Sequence, residues 1–378
     1  MKFLHLSDLH LGKRVNEFSM VEDQRYILRQ ILQIVEKEQP QGVLLAGDIY
    51  DKPVPSAEAV QMFDGFLTAL AGRGTLVFAV SGNHDSAERL AFGARLMQGH
   101  GVYLSPVYDG KVQTVELTDA YGKVCVSLLP FIRPVQVRHA FEDEDPASYQ
   151  EAVEVAVRHI PVDTSARNIL VAHQFVTGAE RCDSEEVSVG GMDNVDVSVF
   201  DAFDYVALGH IHGPQSVGRE TVRYCGTPLK YSFSEADQEK SVTVVELLAK
   251  GDVRIRTIPL IPLRDLRRIR GTYAELTLRA NYEGTNTEDY IHATLTDEED
   301  VPDGMQKLRV IYLNLMRLEY DNRRTRESQT VEAVETLRRT EMELFEEFYE
   351  LQNNQPMNEK QRAFAQELLA KLKEEGES

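Results

Sequence analysis

Asp8 and His10, Asp48 and Asp51, Asn83 with His84 and Asp85, His173, and His210 with His212 each close a short apolar run. The runs are FLHLSDLH, VLLAGDIYD, LVFAVSGNHD, NILVAHQ and YVALGHIH. Carboxylate, amide and imidazole donors with no cysteine among them suit hard or borderline divalent cations. Asp8 and His10 are two residues apart, so in extended backbone both project to one side and can chelate one ion; His210 and His212 repeat the spacing. A carboxylate such as Asp48 can bridge two cations, whereas an imidazole cannot. The donors therefore divide into Asp8, His10, Asp48 and His212 around one metal, and Asp48, Asn83, His173 and His210 around a second. Two such ions ~3.5–4 Å apart can share a hydroxide, lower its pKa towards ~7 and clamp the oxygens of an in-line phosphoryl displacement. Nothing in this set demands a covalent protein intermediate.

His84 directly follows a candidate ligand, so its side chain is expected to turn away from that ion. It can then face substrate, to stabilise developing charge or protonate a leaving oxygen. Asp51 and Asp85 are expected to orient ligands, and capping of their own loops is an equal alternative. Any one of these histidines alone would read as structural; the joint pattern points to metal. His5, His100, His139, His159 and His292 lack the junction context and read as ordinary core or surface residues.

Such donors need strands whose ends converge, and open α/β sheets place ligand sites at that edge. Between the junctions, Val21–Lys37 has helical spacing (Tyr26, Ile27, Ile31, Ile34, Val35). Ser56–Leu70 follows with Ser56 as N-cap and Val60, Phe63, Phe66, Leu67 and Leu70 facing inward. Val124–Leu129, Ile169–Ala172, Val206–Gly209 and Ser241–Leu248 read as strands. The pattern predicts an α/β fold, a β-sandwich flanked by helices, over residues 1–265. Pro259 and Pro262 punctuate the chain. A small α/β capping domain over 266–328 is expected next, with strands at Thr272–Leu278, Tyr290–Leu295 and Leu315–Tyr320 and a helix at Met305–Tyr312. Residues 329–378 are expected to form a helical hairpin. Val331, Val334, Leu337, Leu344, Phe345, Phe348 and Leu351 would stripe its first helix, and Phe364, Leu368, Leu369 and Leu372 its second. Spacing alone leaves open whether this hairpin packs on its own body or docks on a partner.

The chain has 378 residues, 42% hydrophobic and 27% charged, an ordinary balance for a soluble protein with two or three domains. No run approaches the ~18 apolar residues of a membrane span. The opening MKFLHLSDLH carries no signal-peptide cleavage pattern, and Cys125, Cys182 and Cys225 have no metal spacing, so a reducing cytoplasm is the expected setting. A formal charge of −20 argues against gripping nucleic acid with the whole surface. Much of it lies in runs such as Glu142–Asp145 and Asp297–Asp300, read as solvated loops. A metal-bearing cleft would add positive charge where a phosphate must come.

The ordered set D-x-H (Asp8, His10), G-D-x-x-D (Gly47 to Asp51), G-N-H-D (Gly82 to Asp85), a lone His173 and G-H-x-H (Gly209 to His212) resembles the calcineurin-like metallophosphoesterase superfamily. Within it, MKFLHLSDLHLGK, HQFVTGAERCDSEEVSVGG and RYCGTPLKYSFSE (Arg223 to Glu235) are similar to the nuclease-subunit family of bacterial double-strand-break complexes. That resemblance implies a manganese-dependent 3′-to-5′ double-strand exonuclease with single-strand and hairpin endonuclease activity, cytoplasmic and nucleoid-associated. It implies a homodimer bound to an SbcC-type coiled-coil ATPase, with the terminal hairpin docked near the base of the partner's coiled coil. DNA contacts do not transfer residue by residue; Lys13, Arg14, Arg89 and Arg133 lie near the ligand loops, and each reads equally as a salt-bridge partner. Two competing readings are a phosphoesterase acting on small or non-nucleic substrates and a non-catalytic scaffold.

Overall fold

The computed structural model describes residues 1–185, 194–322, 342, 345–346, 349 and 357–376. Most of the expected first tail helix, including Val331, Val334, Leu337, Leu344, Phe348 and Leu351, lies outside them, as does the VSVGG end of the phrase after His173.

Two six-stranded mixed sheets form the frame. The first runs in the order Val253–Pro259, Ser241–Leu247, Lys2–Leu6, Gly42–Ala46, Leu76–Val80, Val102–Leu104; its last four strands are parallel. The second runs Gln215–Val217, Arg219–Tyr224, Tyr205–Gly209, Arg167–His173, Gly122–Leu129, Gln113–Asp119, with its four central strands parallel. Strands buried on both faces read as continuous apolar runs, which is how VLLA, LVFAV and ILVA appear in the sequence.

The alternation within each run sorts side chains between layers. Phe3, Leu44, Ala46, Phe78 and Val80 face Val126, Leu128, Ile169, Val171, Tyr205 and Ala207 in the core between the sheets. Their neighbours Leu4, Leu6, Val43, Leu45, Val77 and Ala79 turn outward under the helices Val21–Glu38 and Ala57–Ala71. On the other side Leu170, Ala172, Val206 and Leu208 pack under the helix Tyr149–Arg158. The expected helix-flanked β-sandwich is therefore the fold observed. His5 fits its reading as a core residue: it is buried, with Nδ1 2.9 Å from Tyr205 Oη and Nε2 3.1 Å from the Leu208 carbonyl.

Ser56 caps the second helix, its Oγ accepting from Ala59 N–H at 3.2 Å. Val60 is a correction, since it is exposed and Ala59 and Met62 take the inward positions. Thr272–Leu278 is likewise not a strand: Tyr273–Thr277 is a short helix. The alternation of TYAELTL suggested period two, but Thr272 and Glu275 form a capping box that fixes a helical first turn. The expected strands at Tyr290–Leu295 and Leu315–Tyr320 are present, the second as Asn314–Tyr320, and join Leu266–Gly271 in a three-stranded sheet. The helix read over Met305–Tyr312 is shorter, Gly304–Arg309. The second tail helix spans Glu359–Gly376. The chain divides into a larger compact unit (Met1–Arg268, Gly284–His292, Arg309–Arg317) and a smaller one (Ile269–Glu283, Ala293–Leu308, Leu318–Ser378). No helix among the described residues is long and apolar enough to cross a membrane.

Phe78 sits fully buried between the sheets, stacked on Tyr103 at 5.2 Å and edge-on to Phe3 at 6.2 Å. Phe78→Ala should therefore lower unfolding free energy by about 3–5 kcal/mol, read from denaturant titration. A loss below ~1 kcal/mol would mean that this layer is not the close-packed core described.

Candidate metal centre

The parallel strands Lys2–Leu6, Gly42–Ala46, Leu76–Val80, Arg167–His173 and Tyr205–Gly209 all deliver their C-terminal ends to one edge. There the two sheets nearly touch. A Cβ on Gly209 would lie 1.8 Å from the Ala46 carbonyl oxygen, so only glycine admits this approach. The loops leave the strands through left-handed backbone at Asp8 (φ 52°), His10 (φ 43°), Asp48 (φ 48°) and His210 (φ 102°). Non-glycine residues in this region cost on the order of 1–3 kcal/mol each and persist where surrounding structure enforces them. The enforcement is visible: Asp8 N–H donates to the Gly47 carbonyl and His10 N–H to the Asp48 carbonyl, both at 3.0 Å. His210 N–H donates to the Asp8 carboxylate at 3.1 Å.

This corrects one part of the sequence reading. Asp8 and His10 do not share a side by extended alternation; both are left-handed, and the turn brings them together instead. Asp8, His10 and His212 offer donor atoms within 4.8 Å of one another, as do Asp8, Asp48 and His173. His10 Nε2 lies 3.2 Å from His212 Nε2 and 3.8 Å from Asp48 Oδ2. Asp48 Oδ2 is 3.4 Å from His173 Nε2. Asn83 Oδ1 is 2.9 Å from His173 Nε2 and 3.0 Å from His210 Nδ1. All seven candidate ligands thus meet in one cluster, with Asp48 between its two halves. Every one except the half-buried Asn83 is buried.

His84 stands beside the cluster rather than turned from it. Its ring is edge-on to His10 at 4.9 Å, its Nε2 is 4.0 Å from Asp48 Oδ2, and it remains the more accessible of these imidazoles. Asp85 takes the capping alternative: its carboxylate accepts from the backbone N–H groups of Ile49, Tyr50 and Gly82 at 2.9–3.0 Å, tying the Asp48 loop to the Asn83 loop. Asp51 accepts from Lys13 Nζ at 2.7 Å, so that lysine is a salt-bridge partner. Sequence reasoning gave no role to Ser7, Ser184, Glu185 or Glu235. Ser7 Oγ–H donates to Asp8, Glu185 accepts from His212 N–H at 2.6 Å, and Ser184 joins His212 to Glu235. The signal for Ser184, Glu185 and Glu235 was present in CDSEE and KYSFSE, phrases that carry the family resemblance without announcing any chemistry.

The donor set tests well against a cation. His173 Nδ1–H donates to the Ala46 carbonyl at 2.8 Å, so a neutral ring has a bare lone pair at Nε2. That lone pair would face only acceptors, the Asn83 and Asp48 oxygens. Either a proton or a metal ion must sit among them. His10 Nδ1 and His210 Nε2 are buried with no hydrogen-bond partner. Without a metal, burial raises the Asp8 carboxyl to about 6 against the pull of His173 and His212. Burial also works against a charge on His173, but Asp48 outweighs it and lifts the imidazole to about 9. Burial drives His10 well below its usual range and His210 down to about 3. Desolvation opposes ionisation of Asp48, yet the imidazoles around it hold the carboxyl far below the ordinary range.

A model for calcineurin-like phosphoesterase matches residues 1–214, and one for the type 5 capsule protein repressor C-terminal domain matches residues 262–353. The chain is 32% identical over 377 residues to the D subunit of nuclease SbcCD from Staphylococcus epidermidis, covering 98% of each protein. Among solved structures, TT1561 of Thermus thermophilus aligns with 68% of this chain and 98% of its own, at 11% identity and a TM-score of 0.40. The psychrophilic beta-glucosidase BglU of Micrococcus antarcticus aligns with 84% of this chain and 83% of its own, at 8% identity and a TM-score of 0.21. Neither solved structure is near enough to bear on the fold.

A cation entering this cluster must displace the protons that Asp8 holds up to about pH 6 and His173 up to about pH 9. Affinity for Mn²⁺ should therefore rise with pH across that window, and binding should release protons. Calorimetry in buffers of different ionisation enthalpy measures both. Affinity independent of pH, with no proton release, would mean that neither group holds a proton in the metal-free protein.

Proposed function

The chain belongs to the calcineurin-like phosphoesterase family and, within it, to the family of the SbcCD nuclease D subunit, and we propose that it is a two-metal DNA nuclease. The observation that carries this reading is His173 Nε2 set against the Asn83 and Asp48 oxygens, where either a proton or a cation must sit, at the join of two donor groups. Asp8, His10, Asp48 and His212 would hold one ion, and Asp48, Asn83, His173 and His210 the other. When bound, the pair would polarise water and neutralise phosphate charge. Mn²⁺ is the proposed occupant. His84 would place its accessible imidazole against the substrate phosphate and protonate the leaving oxygen. Asp85 would keep the Asp48 and Asn83 loops in register while this happens.

The proposed reactions are 3′-to-5′ exonuclease action on duplex ends and endonuclease action on single strands and hairpins, serving DNA repair, recombination and replication. Cations beside the cluster support a nucleic-acid substrate in a chain of charge −20. A cleft of about 430 Å³ adjoining Ser184 and Tyr231 is lined by Arg14, Arg268 and Arg317. The phosphoesterase body over 1–265, the cap over 266–328 and the helical tail over 329–378 are the proposed division of labour. The tail would bind an SbcC-type coiled-coil ATPase, with two copies of this chain in the complex, in the cytoplasm at the nucleoid. Exposed Phe345, Phe364 and Leu368, which line an apolar groove with Tyr349 and Met357, support such docking.

His84→Ala should reduce cleavage of end-labelled duplex by at least about 10²-fold, a typical contribution of general acid catalysis, while changing DNA affinity little. Hydrolysis at an unchanged rate would remove His84 from the mechanism. Wild-type protein that cleaves small phosphodiesters but no DNA would favour a phosphoesterase of another specificity.

A further inference from the structure

The Nδ1 edge of His212, opposite the nitrogen that meets His10, enters a buried polar chain. Ser184 Oγ lies 2.7 Å from His212 Nδ1 and 2.6 Å from Glu235 Oε1. Glu235 is fully buried, and its carboxylate also accepts from Lys240 Nζ at 2.6 Å, from Thr227 Oγ1 at 3.2 Å and from Tyr231 N–H at 3.2 Å. With an ammonium beside it and only donors around it, this carboxylate is ionised and has no proton to offer. The Ser184 hydroxyl must therefore donate to Glu235, since the reverse orientation would set an oxygen lone pair against a carboxylate. Its lone pairs are left to accept. Cys182 Sγ also lies 3.2 Å from this hydroxyl, but its S–H donates to Glu185 Oε1 at 3.2 Å. The hydrogen that fills Ser184 from the ring side is the one on His212 Nδ1.

We propose that Ser184 and Glu235 are positioning residues that lock His212 as its Nδ1–H tautomer and so present the Nε2 lone pair to the metal cluster. The same network fixes the backbone. Lys240 Nζ donates to the His212 carbonyl at 2.9 Å, and Glu185 Oε1 accepts from His212 N–H at 2.6 Å while its Oε2 accepts from Cys182 N–H at 3.0 Å. The inference deepens the two-metal reading and rests on it for its consequence, because a neutral imidazole binds a cation only through the nitrogen that lacks hydrogen. His173 obtains the same selection directly from the Ala46 carbonyl. At His212 it takes a hydroxyl held by a carboxylate, and that carboxylate's Oε1 is itself 3.5 Å from Nδ1.

The test is nitrogen NMR of the full-length, metal-free, ¹⁵N-labelled protein, followed by Mn²⁺ titration. His212 should show a protonated, pyrrole-type Nδ1 and a bare, pyridine-type Nε2. Ser184→Ala should mix the tautomers and weaken Mn²⁺ binding by about 10–100-fold, while Ser184→Thr, which restores the hydroxyl, should recover both. Glu235→Gln, whose amide can donate to Ser184 and turn its hydroxyl toward the ring, should shift His212 toward the Nε2–H form. The His173 resonances serve as the folding control and should not move. Retention of the Nδ1–H tautomer and of full Mn²⁺ affinity in Ser184→Ala would overturn the relay. If the unsubstituted chain shows the predicted tautomer and binds no Mn²⁺, the relay stands and the two-metal reading falls.

Discussion

A single buried carboxylate, Asp48, is the constraint around which the rest is arranged. Its Oδ2 lies 3.4 Å from His173, 3.8 Å from His10 and 4.0 Å from His84, and its Oδ1 accepts the His84 backbone N–H at 2.9 Å. An ionised group with so little water around it survives only where positive charge compensates it. Protonated imidazoles can do so in part, and divalent cations more completely. The left-handed turns at Asp8, His10, Asp48 and His210 then have a physical purpose, because together they gather donors from both sheets onto this one group. The β-sandwich supplies the rigidity that such turns require.

Much of this was legible in the residues. Runs such as VLLAGD and YVALGH state both a strand buried on two faces and the polar group it delivers, so the sandwich and its reactive edge follow from the same letters. Asp85 and Asp51 were more ambiguous, since capping and orienting call for the same carboxylate; Asp85 accepts from three backbone N–H groups of two loops, which is the capping role. What the sequence hid has two causes. The geometry of Asp8 and His10 depends on backbone turned by contacts with Gly47 and Asp48, which local spacing does not reveal. Thr272–Leu278 alternates like a strand, yet the capping box between Thr272 and Glu275 outweighs that pattern. Ser184 and Glu235 lie 51 residues apart and meet only through tertiary structure.

The charge distribution also acquires a meaning that composition alone withheld. Lys13, adjacent to the ligand loops, is committed to Asp51 and Arg268 to Asp237, and Arg14, Arg268 and Arg317 line one cleft together with Asp183 and Ser184. Under the proposed function, these arginines and cations held by the cluster would let an acidic chain admit a polyanion locally, without holding nucleic acid over its whole surface.

Anomalous diffraction from crystals grown with Mn²⁺, collected at the manganese edge, tests the central claim most directly. The two-metal reading predicts two peaks about 3.5–4 Å apart flanking the Asp48 carboxylate. One should lie against Asp8, His10 and His212, and the other against Asn83, His173 and His210. A lone peak, or a pair remote from Asp48, would contradict it.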